Sequence, residues 1–77
     1  MSRWSPCKRK DFIRKCRALG FTGPHEGSRH QIMRYHSHNL AIPSYDEFSV
    51  DLLRRVLREI QGLLGREITQ DEWINLK

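Results

Sequence analysis

Long apolar runs are absent from this 77-residue chain. No stretch approaches the roughly 20 apolar residues that a membrane-spanning helix needs, so we expect no transmembrane segment. The first ten residues, MSRWSPCKRK, also lack the apolar centre of a secretory signal peptide. These absences lead us to expect a cytoplasmic protein.

Cysteine is scarce, since the chain contains Cys7 and Cys16 and no others. If both lie on one helix, nine residues at about 1.5 Å each place them roughly 13 Å apart. A disulfide requires Cα atoms within about 7 Å, so we expect two free thiols. Free thiols are typical of a reducing compartment, which agrees with the expected cytoplasmic location.

Several common catalytic motifs are also missing. The chain has no Gly-x-x-x-x-Gly-Lys loop, no Gly-x-Ser-x-Gly motif and no pair of carboxylates suited to a cleft. A chain this short buries only about 60% of its unfolded surface, which leaves little room for an enclosed pocket. We therefore expect one domain over residues 1–77 that acts on a large partner across an open face, with no small-molecule cofactor.

Acidic residues are rare in the first half of the chain, where basic residues are frequent. Residues 1–38 carry nine Lys/Arg and two Asp/Glu, whereas residues 39–77 carry five and seven. The net charge is +5 and the isoelectric point is about 9.8. This asymmetry indicates a polyanionic partner on one side, and nucleic acid is the most common polyanion.

Hydrophobic periodicity predicts two main helices. The first is expected over residues 6–19, with Ser5 as its N-cap and Gly20 at its end. The second is expected over residues 50–64, with Ser49 as its N-cap. Its apolar stripe is the longest in the chain and consists of Leu53, Val56, Leu57, Ile60 and Leu64.

The segment between these helices has the pattern of an antiparallel meander. Residues 30–35 and 39–43 are short β-prone runs, joined by residues 36–38. Near the C-terminus, Thr69 and Glu72 have the spacing of a capping box for a short third helix. The order of elements predicts an α+β two-layer sandwich of helix, three-stranded antiparallel sheet and helix, plus the short C-terminal helix, with one sheet face open.

His30 is the candidate for proton-transfer chemistry, because it stands where the turn Gly27-Ser28-Arg29 leads into a strand. Imidazole exchanges protons near cell pH, and a positioned histidine accelerates such steps about 10²–10⁴-fold. Backbone N–H groups of the turn could hold a phosphate beside it, and Arg29 and Arg34 could stabilise the transition state. A surface or structural role for a lone histidine is the simpler alternative.

Basic residues around the first helix are candidates for RNA phosphate contacts, namely Lys8, Arg9 and Arg14 together with Arg29. Trp4 and Tyr35 could stack on bases, or could instead pack at the rim of the core. The arginines of the second helix are equally compatible with a solvated helix face; they are Arg54, Arg55 and Arg58.

A metal site is not expected. His36 and His38 are close in sequence, yet no Cys-x-x-Cys or His-x-x-x-His pattern accompanies them. A structural zinc site needs four well-placed ligands.

Four segments in fixed order resemble the HicA-type toxin family. They are KRKDFIRKCRALGFTGP, GSRHQIM, LAIPSYDEFSVDLLRRVLREI and ITQDEWINL, and the resemblance extends from about residue 7 to 76. Each segment is short, but their order and spacing together are fairly specific.

The resemblance implies a fold similar to double-stranded-RNA-binding domains and the activity of a metal-independent mRNA interferase, a toxin that cleaves transcripts and stalls growth. It also implies a HicB-type antitoxin partner that masks the active residue. The functional histidine of the family maps onto His30, and Gly27 and Ser28 match the turn before it. Two alternatives stay open, namely a non-catalytic RNA-binding module and a protein-interaction domain for an acidic partner.

Overall fold

A computed structural model describes residues 4–77 as an α+β arrangement. In chain order the elements are β1 (Cys7–Lys8), α1 (Arg9–Ala18), β2 (Thr22–Glu26), β3 (Gln31–Tyr35), β4 (His38–Ala41), β5 (Glu47–Phe48), α2 (Val50–Leu64) and α3 (Gln70–Asn75). Strands β2, β3 and β4 form an antiparallel sheet in that order, and β1 pairs with β5 in a separate ribbon. The predicted fold class is confirmed.

The start of α1 differs from the prediction. The helix does not begin at residue 6 with Ser5 as its N-cap; Lys8 is the N-cap, and its side chain makes no capping bond. Cys7 instead pairs with Phe48, and the N–H of Arg9 donates to the carbonyl of Asp46 at 2.8 Å. Both paired side chains are buried, so a long-range strand pairing overrides the local helix-start signal.

The end of α1 follows the prediction. Gly20 adopts a φ of 108°, in the region that glycine occupies without strain. Its N–H donates to the carbonyl of Arg17, and the N–H of Phe21 donates to that of Cys16, each at 3.0 Å. These two bonds are those of a Schellman motif, and they direct the Phe21 ring into the core.

The three-stranded sheet has one buried and one open face. Met33 of β3 pairs with Leu40 of β4, and both side chains are buried. Side chains alternate along a strand, so their neighbours Arg34 and Asn39 lie on the opposite face. There the Nε of Arg34 donates to the Oδ1 of Asn39 at 3.0 Å, and both residues are exposed.

Helix α2 supplies the largest part of the helical layer. Ser49 is its N-cap, as predicted, and the Ser49 hydroxyl accepts a hydrogen bond from the N–H of Leu52 at 3.2 Å. Gly65 ends the helix in the left-handed conformation, with a φ of 74°. Among residues 4–77, no helix combines the length and the apolar character that crossing a bilayer requires.

Three aromatic rings join the elements at the centre of the core. The Phe12 centroid lies 5.1 Å from that of Phe48 and 5.9 Å from that of Trp73, which links α1 to β5 and α3. Thr69 caps α3 by accepting from the N–H of Glu72 at 3.1 Å, as predicted. The other half of the predicted capping box would use the Glu72 carboxylate, which instead forms an ion pair with Arg66 at 2.8 Å.

Candidate functional site

An open pocket of about 510 Å³ brings five of the seven predicted site residues together. They are Arg9, Gly27, Ser28, Arg29 and His30. The remaining lining residues are Glu26, Gln31, Ser44 and Asp46, and we call the whole the His30 pocket. It lies where the β2–β3 turn meets the start of α1 and the segment that follows β4.

The position of His30 is set by the tight β2–β3 turn. The N–H of Gly27 donates to the carbonyl of His30 at 3.1 Å, and β3 begins at the next residue, Gln31. A Cβ atom on residue 27 would stand 2.4 Å from that carbonyl oxygen, so only glycine allows the turn to close this tightly. Because the Gly27 N–H is used in this way, the predicted phosphate cradle is reduced to the N–H groups of Ser28 and Arg29.

The His30 ring is exposed and held at one nitrogen. Its Nδ1 lies 3.0 Å from the hydroxyl oxygen of Ser44. A serine hydroxyl can either donate or accept, so this contact is compatible with an imidazole that gains and loses a proton. Among residues 4–77 the other nitrogen, Nε2, has no hydrogen-bond partner, which leaves it for a substrate.

A hydrogen-bonded chain holds Arg9 at the edge of the pocket. Its Nη2 donates to the side-chain oxygen of Gln31 at 2.6 Å, and the Gln31 amide donates to the carboxylate of Glu26 at 3.1 Å. The Nε of Arg9 also donates to the carbonyl of Pro43 at 3.4 Å. In the part of the chain that the structure describes, Arg29 makes no hydrogen bond or ion pair, so its guanidinium is available for an anion.

The charge of the pocket is more balanced than the sequence suggested. Arg9 and Arg29 face two carboxylates that the sequence analysis did not single out, those of Glu26 and Asp46. The pocket therefore offers cations for a phosphate together with acidic groups that could serve as a second proton donor or acceptor. It is not a uniformly basic surface.

Lys8 and Arg14, the other two predicted RNA contacts, lie elsewhere. They line a separate pocket of about 550 Å³, which shares no lining residue with the His30 pocket. Arg14 lies 3.4 Å from the carboxylate of Asp11 and 3.4 Å from the carbonyl of Leu76. Arg34, a candidate for transition-state stabilisation, lies on the open sheet face and does not line the His30 pocket.

The remaining histidines occupy the sheet and its hairpin tip. His36 has a φ of 55° in the β3–β4 turn, and its ring centroid lies 4.4 Å from that of Tyr35. Tyr35 also packs on Phe21 at 5.1 Å, so this ring belongs to the rim of the core. Within residues 4–77, no three His, Cys, Asp or Glu side chains are grouped so that they could hold a metal ion.

Both cysteines are free and buried. Cys7 lies in β1 and Cys16 in α1, so the assumption that one helix carries both is wrong. Burial raises the pKa of Cys16 to about 12, and burial also raises the pKa of Cys7. Thiols with raised pKa values stay protonated near neutral pH and are poor nucleophiles, so neither is a candidate for the chemistry.

Ser44 is the contact of His30 that the sequence analysis missed. It is 14 residues from His30 and carries no motif of its own. The signal lies in the strand register, because Ile32 pairs with Ala41 and the N–H of Ile42 donates to the carbonyl of Gln31. Continued by one step, this pairing places the segment after Ile42 beside His30.

Comparison of the chain with protein-family models, curated proteins and solved structures found no match. Membership of the HicA-type family therefore stays a prediction based on the four sequence segments. A functional conclusion has to come from the chemistry of the His30 pocket.

Proposed function

We propose that the protein is an endoribonuclease that cleaves mRNA without a metal ion, and that it acts as the toxin of a toxin–antitoxin pair. The observation that supports this most directly is the exposed His30 ring, which Ser44 holds in an open pocket beside Arg9 and Arg29. A polyanion too large for an enclosed cavity can enter such a pocket. The HicA-type resemblance supports the same activity.

In this mechanism Nε2 of neutral His30 takes the proton of a ribose 2′-OH. The oxygen attacks the adjacent phosphorus, the bond to the 5′-oxygen breaks, and a 2′,3′-cyclic phosphate forms. The leaving oxygen takes a proton from the imidazolium or from water. Arg29, with Arg9 beside it, stabilises the charge that develops on the phosphorane.

A HicB-type antitoxin is the proposed protein partner, and the cytoplasm is the proposed location. The antitoxin would cover the His30 pocket and keep mRNA out. The two free thiols agree with a reducing compartment. No cofactor enters the mechanism, because histidine and arginine side chains supply both the proton transfer and the charge stabilisation.

The test of this activity is direct. Purified protein incubated with end-labelled RNA should yield fragments that end in 2′,3′-cyclic phosphates, and EDTA should leave the rate unchanged. The same oligonucleotide made with deoxyribose should stay intact, because it lacks the attacking hydroxyl. Loss of cleavage under chelation would contradict the metal-independent mechanism.

A non-catalytic RNA-binding module is the second candidate. The cations on the surface, including the unpaired Arg29, would also serve a protein that binds RNA and leaves it whole. Such a protein would bind with an affinity that falls steeply as salt rises, and the labelled RNA would be recovered at full length.

Ser44 should act as a positioning residue for His30. We expect Ser44→Ala to lower kcat roughly 10- to 100-fold with little change in KM, because the ring loses its one described partner and its fixed orientation. Ser44→Thr, which keeps the hydroxyl, should restore most of the activity.

The matched control is Ser37→Ala, which alters an exposed serine in the β3–β4 turn, outside the His30 pocket. Its kinetics should equal those of the unmodified protein. If kcat of Ser44→Ala is also unchanged, or if Ser44→Thr is no more active than Ser44→Ala, the proposed positioning role of Ser44 is wrong.

A further inference from the structure

A second basic surface crosses the helical layer, away from the His30 pocket. Trp4 is half-buried and lines two adjacent pockets. We call the surface formed by Trp4 and the cations on either side of it the helix-face track. Its cations are Lys8, Lys10, Arg14 and Lys15 at α1 and Arg54 and Arg58 on α2.

The cations of the helix-face track are largely unused within the protein. Among residues 4–77, Lys8, Lys10, Arg54 and Arg58 form no hydrogen bond or ion pair through their side chains. Arg54 and Arg58 are one helical turn apart, about 6 Å along α2. Cations left unpaired and close together repel one another, so an anionic ligand would relieve a local excess of positive charge.

Acidic residues also line these pockets, but they are fewer. Asp11 and Glu47 line the pocket at α1, and Glu67 lines the one at α2. Asp11 is already paired with Arg14. The six cations therefore outnumber the three acids, and the track keeps a positive balance that the His30 pocket lacks.

We propose that the helix-face track binds a single-stranded segment of RNA, with phosphates on its cations and a base stacked on the exposed part of Trp4. An aromatic ring between cations is the arrangement by which proteins bind single strands without sequence preference. An acidic protein would use the cations but would have no need of the ring between them. This inference depends on the proposed RNA substrate but not on catalysis.

The track and the His30 pocket are lined by adjacent residues of the chain at the start of α1. Arg9 lines the His30 pocket, whereas its neighbours Lys8 and Lys10 line the track. In this proposal, a strand held along the track passes the start of α1 toward His30. Binding of the RNA and its cleavage would depend on separate sets of side chains, so they can be tested separately.

The experiment measures RNA binding in a His30→Ala background, in which the RNA stays whole. The ligand is an unstructured, fluorescein-labelled RNA of about 12 nucleotides, within the range that single-strand sites cover. The test variant is Arg54→Gln/Arg58→Gln. The matched control is Arg17→Gln/Lys77→Gln, which removes the same charge from exposed positions outside the track.

The test variant should bind about tenfold more weakly at physiological salt, and the slope of log affinity against log salt should be about 1.4 smaller, as expected for two lost phosphate contacts. The control should keep both the affinity and the slope of its parent. Equal affinities and slopes for the two double variants would overturn the proposal. Stronger binding of polyglutamate than of RNA would also overturn it, in favour of an acidic protein partner.

Tryptophan fluorescence provides a second measurement. RNA should quench the emission of Trp4, and Trp4→Phe should remove this quenching while the buried Trp73 still emits. Trp73 lines the same pocket, so the measurement is the difference between the two proteins; quenching of equal size in Trp4→Phe would show that no base stacks on Trp4. If the track variants lose RNA binding but the unmodified protein leaves RNA intact, the nuclease proposal is wrong and the proposal of RNA binding by the track is supported.

Discussion

Replacing His30 with alanine is expected to reduce RNA cleavage about 100- to 10,000-fold, the usual contribution of a positioned general acid or base. The fold should be unaffected, because the ring is exposed and its described hydrogen bond is to the side chain of Ser44. Single-turnover cleavage of labelled RNA measures the first effect, and thermal unfolding followed by circular dichroism measures the second.

His38→Ala is the matched control for this substitution. His38 is an exposed histidine of β4 that does not line the His30 pocket, so its loss should leave cleavage unchanged. In cells, unopposed expression of the His38 variant should arrest growth, whereas the His30 variant should not. Growth arrest by a folded His30→Ala protein would refute the catalytic role of His30.

The helices were predictable because their signals are local. Ser49 accepts from the N–H of Leu52, three residues along, and Thr69 does the same for Glu72. Gly20 ends α1 through bonds within the same turn of chain. Each of these interactions depends on residues a few positions apart, which a single sequence displays side by side.

The ribbon of β1 and β5 was not predictable in this way. Cys7 and Phe48 pair across 40 residues of chain, and each strand is only two residues long. Strands so short carry no alternation pattern. Ser5-Pro6 meanwhile provides a local helix-start signal, so the sequence alone favours the wrong start for α1.

In the candidate site, too, the residues that are close in sequence were predictable and those that are distant were not. The turn with His30 was identified from the sequence because Gly27, Ser28 and His30 lie within four consecutive residues. Ser44 and Asp46 reach the pocket from the segment after β4, through a strand register that the sequence restricts but does not determine. The sequence analysis named Trp4, Lys8 and Arg14 as possible RNA contacts but did not join them to Arg54 and Arg58, because the two pockets that Trp4 lines depend on how the helices pack.

The second large effect is expected at Phe12. This side chain is 0% exposed and contacts the rings of Phe48 and Trp73, so it joins α1 to the ribbon and to α3. Removing a buried phenylalanine side chain costs about 3–5 kcal/mol of unfolding free energy, through lost burial and the cavity that remains. A chain of this size has about 4–12 kcal/mol in total, so Phe12→Ala should lose a large part of its stability and unfold at a much lower urea concentration.

Urea denaturation followed by circular dichroism measures this loss, with two variants for comparison. Ile74→Ala removes an apolar side chain that is 53% exposed and should change the unfolding free energy by less than about 0.5 kcal/mol. Phe12→Leu keeps much of the buried volume and should fall between the two. If Phe12→Ala lowers the unfolding free energy by less than about 1.5 kcal/mol, the three rings do not form a common core that joins these elements. In that case the ribbon, α1 and α3 would be stabilised independently, and the position of Arg9 at the His30 pocket would not depend on the core beneath it.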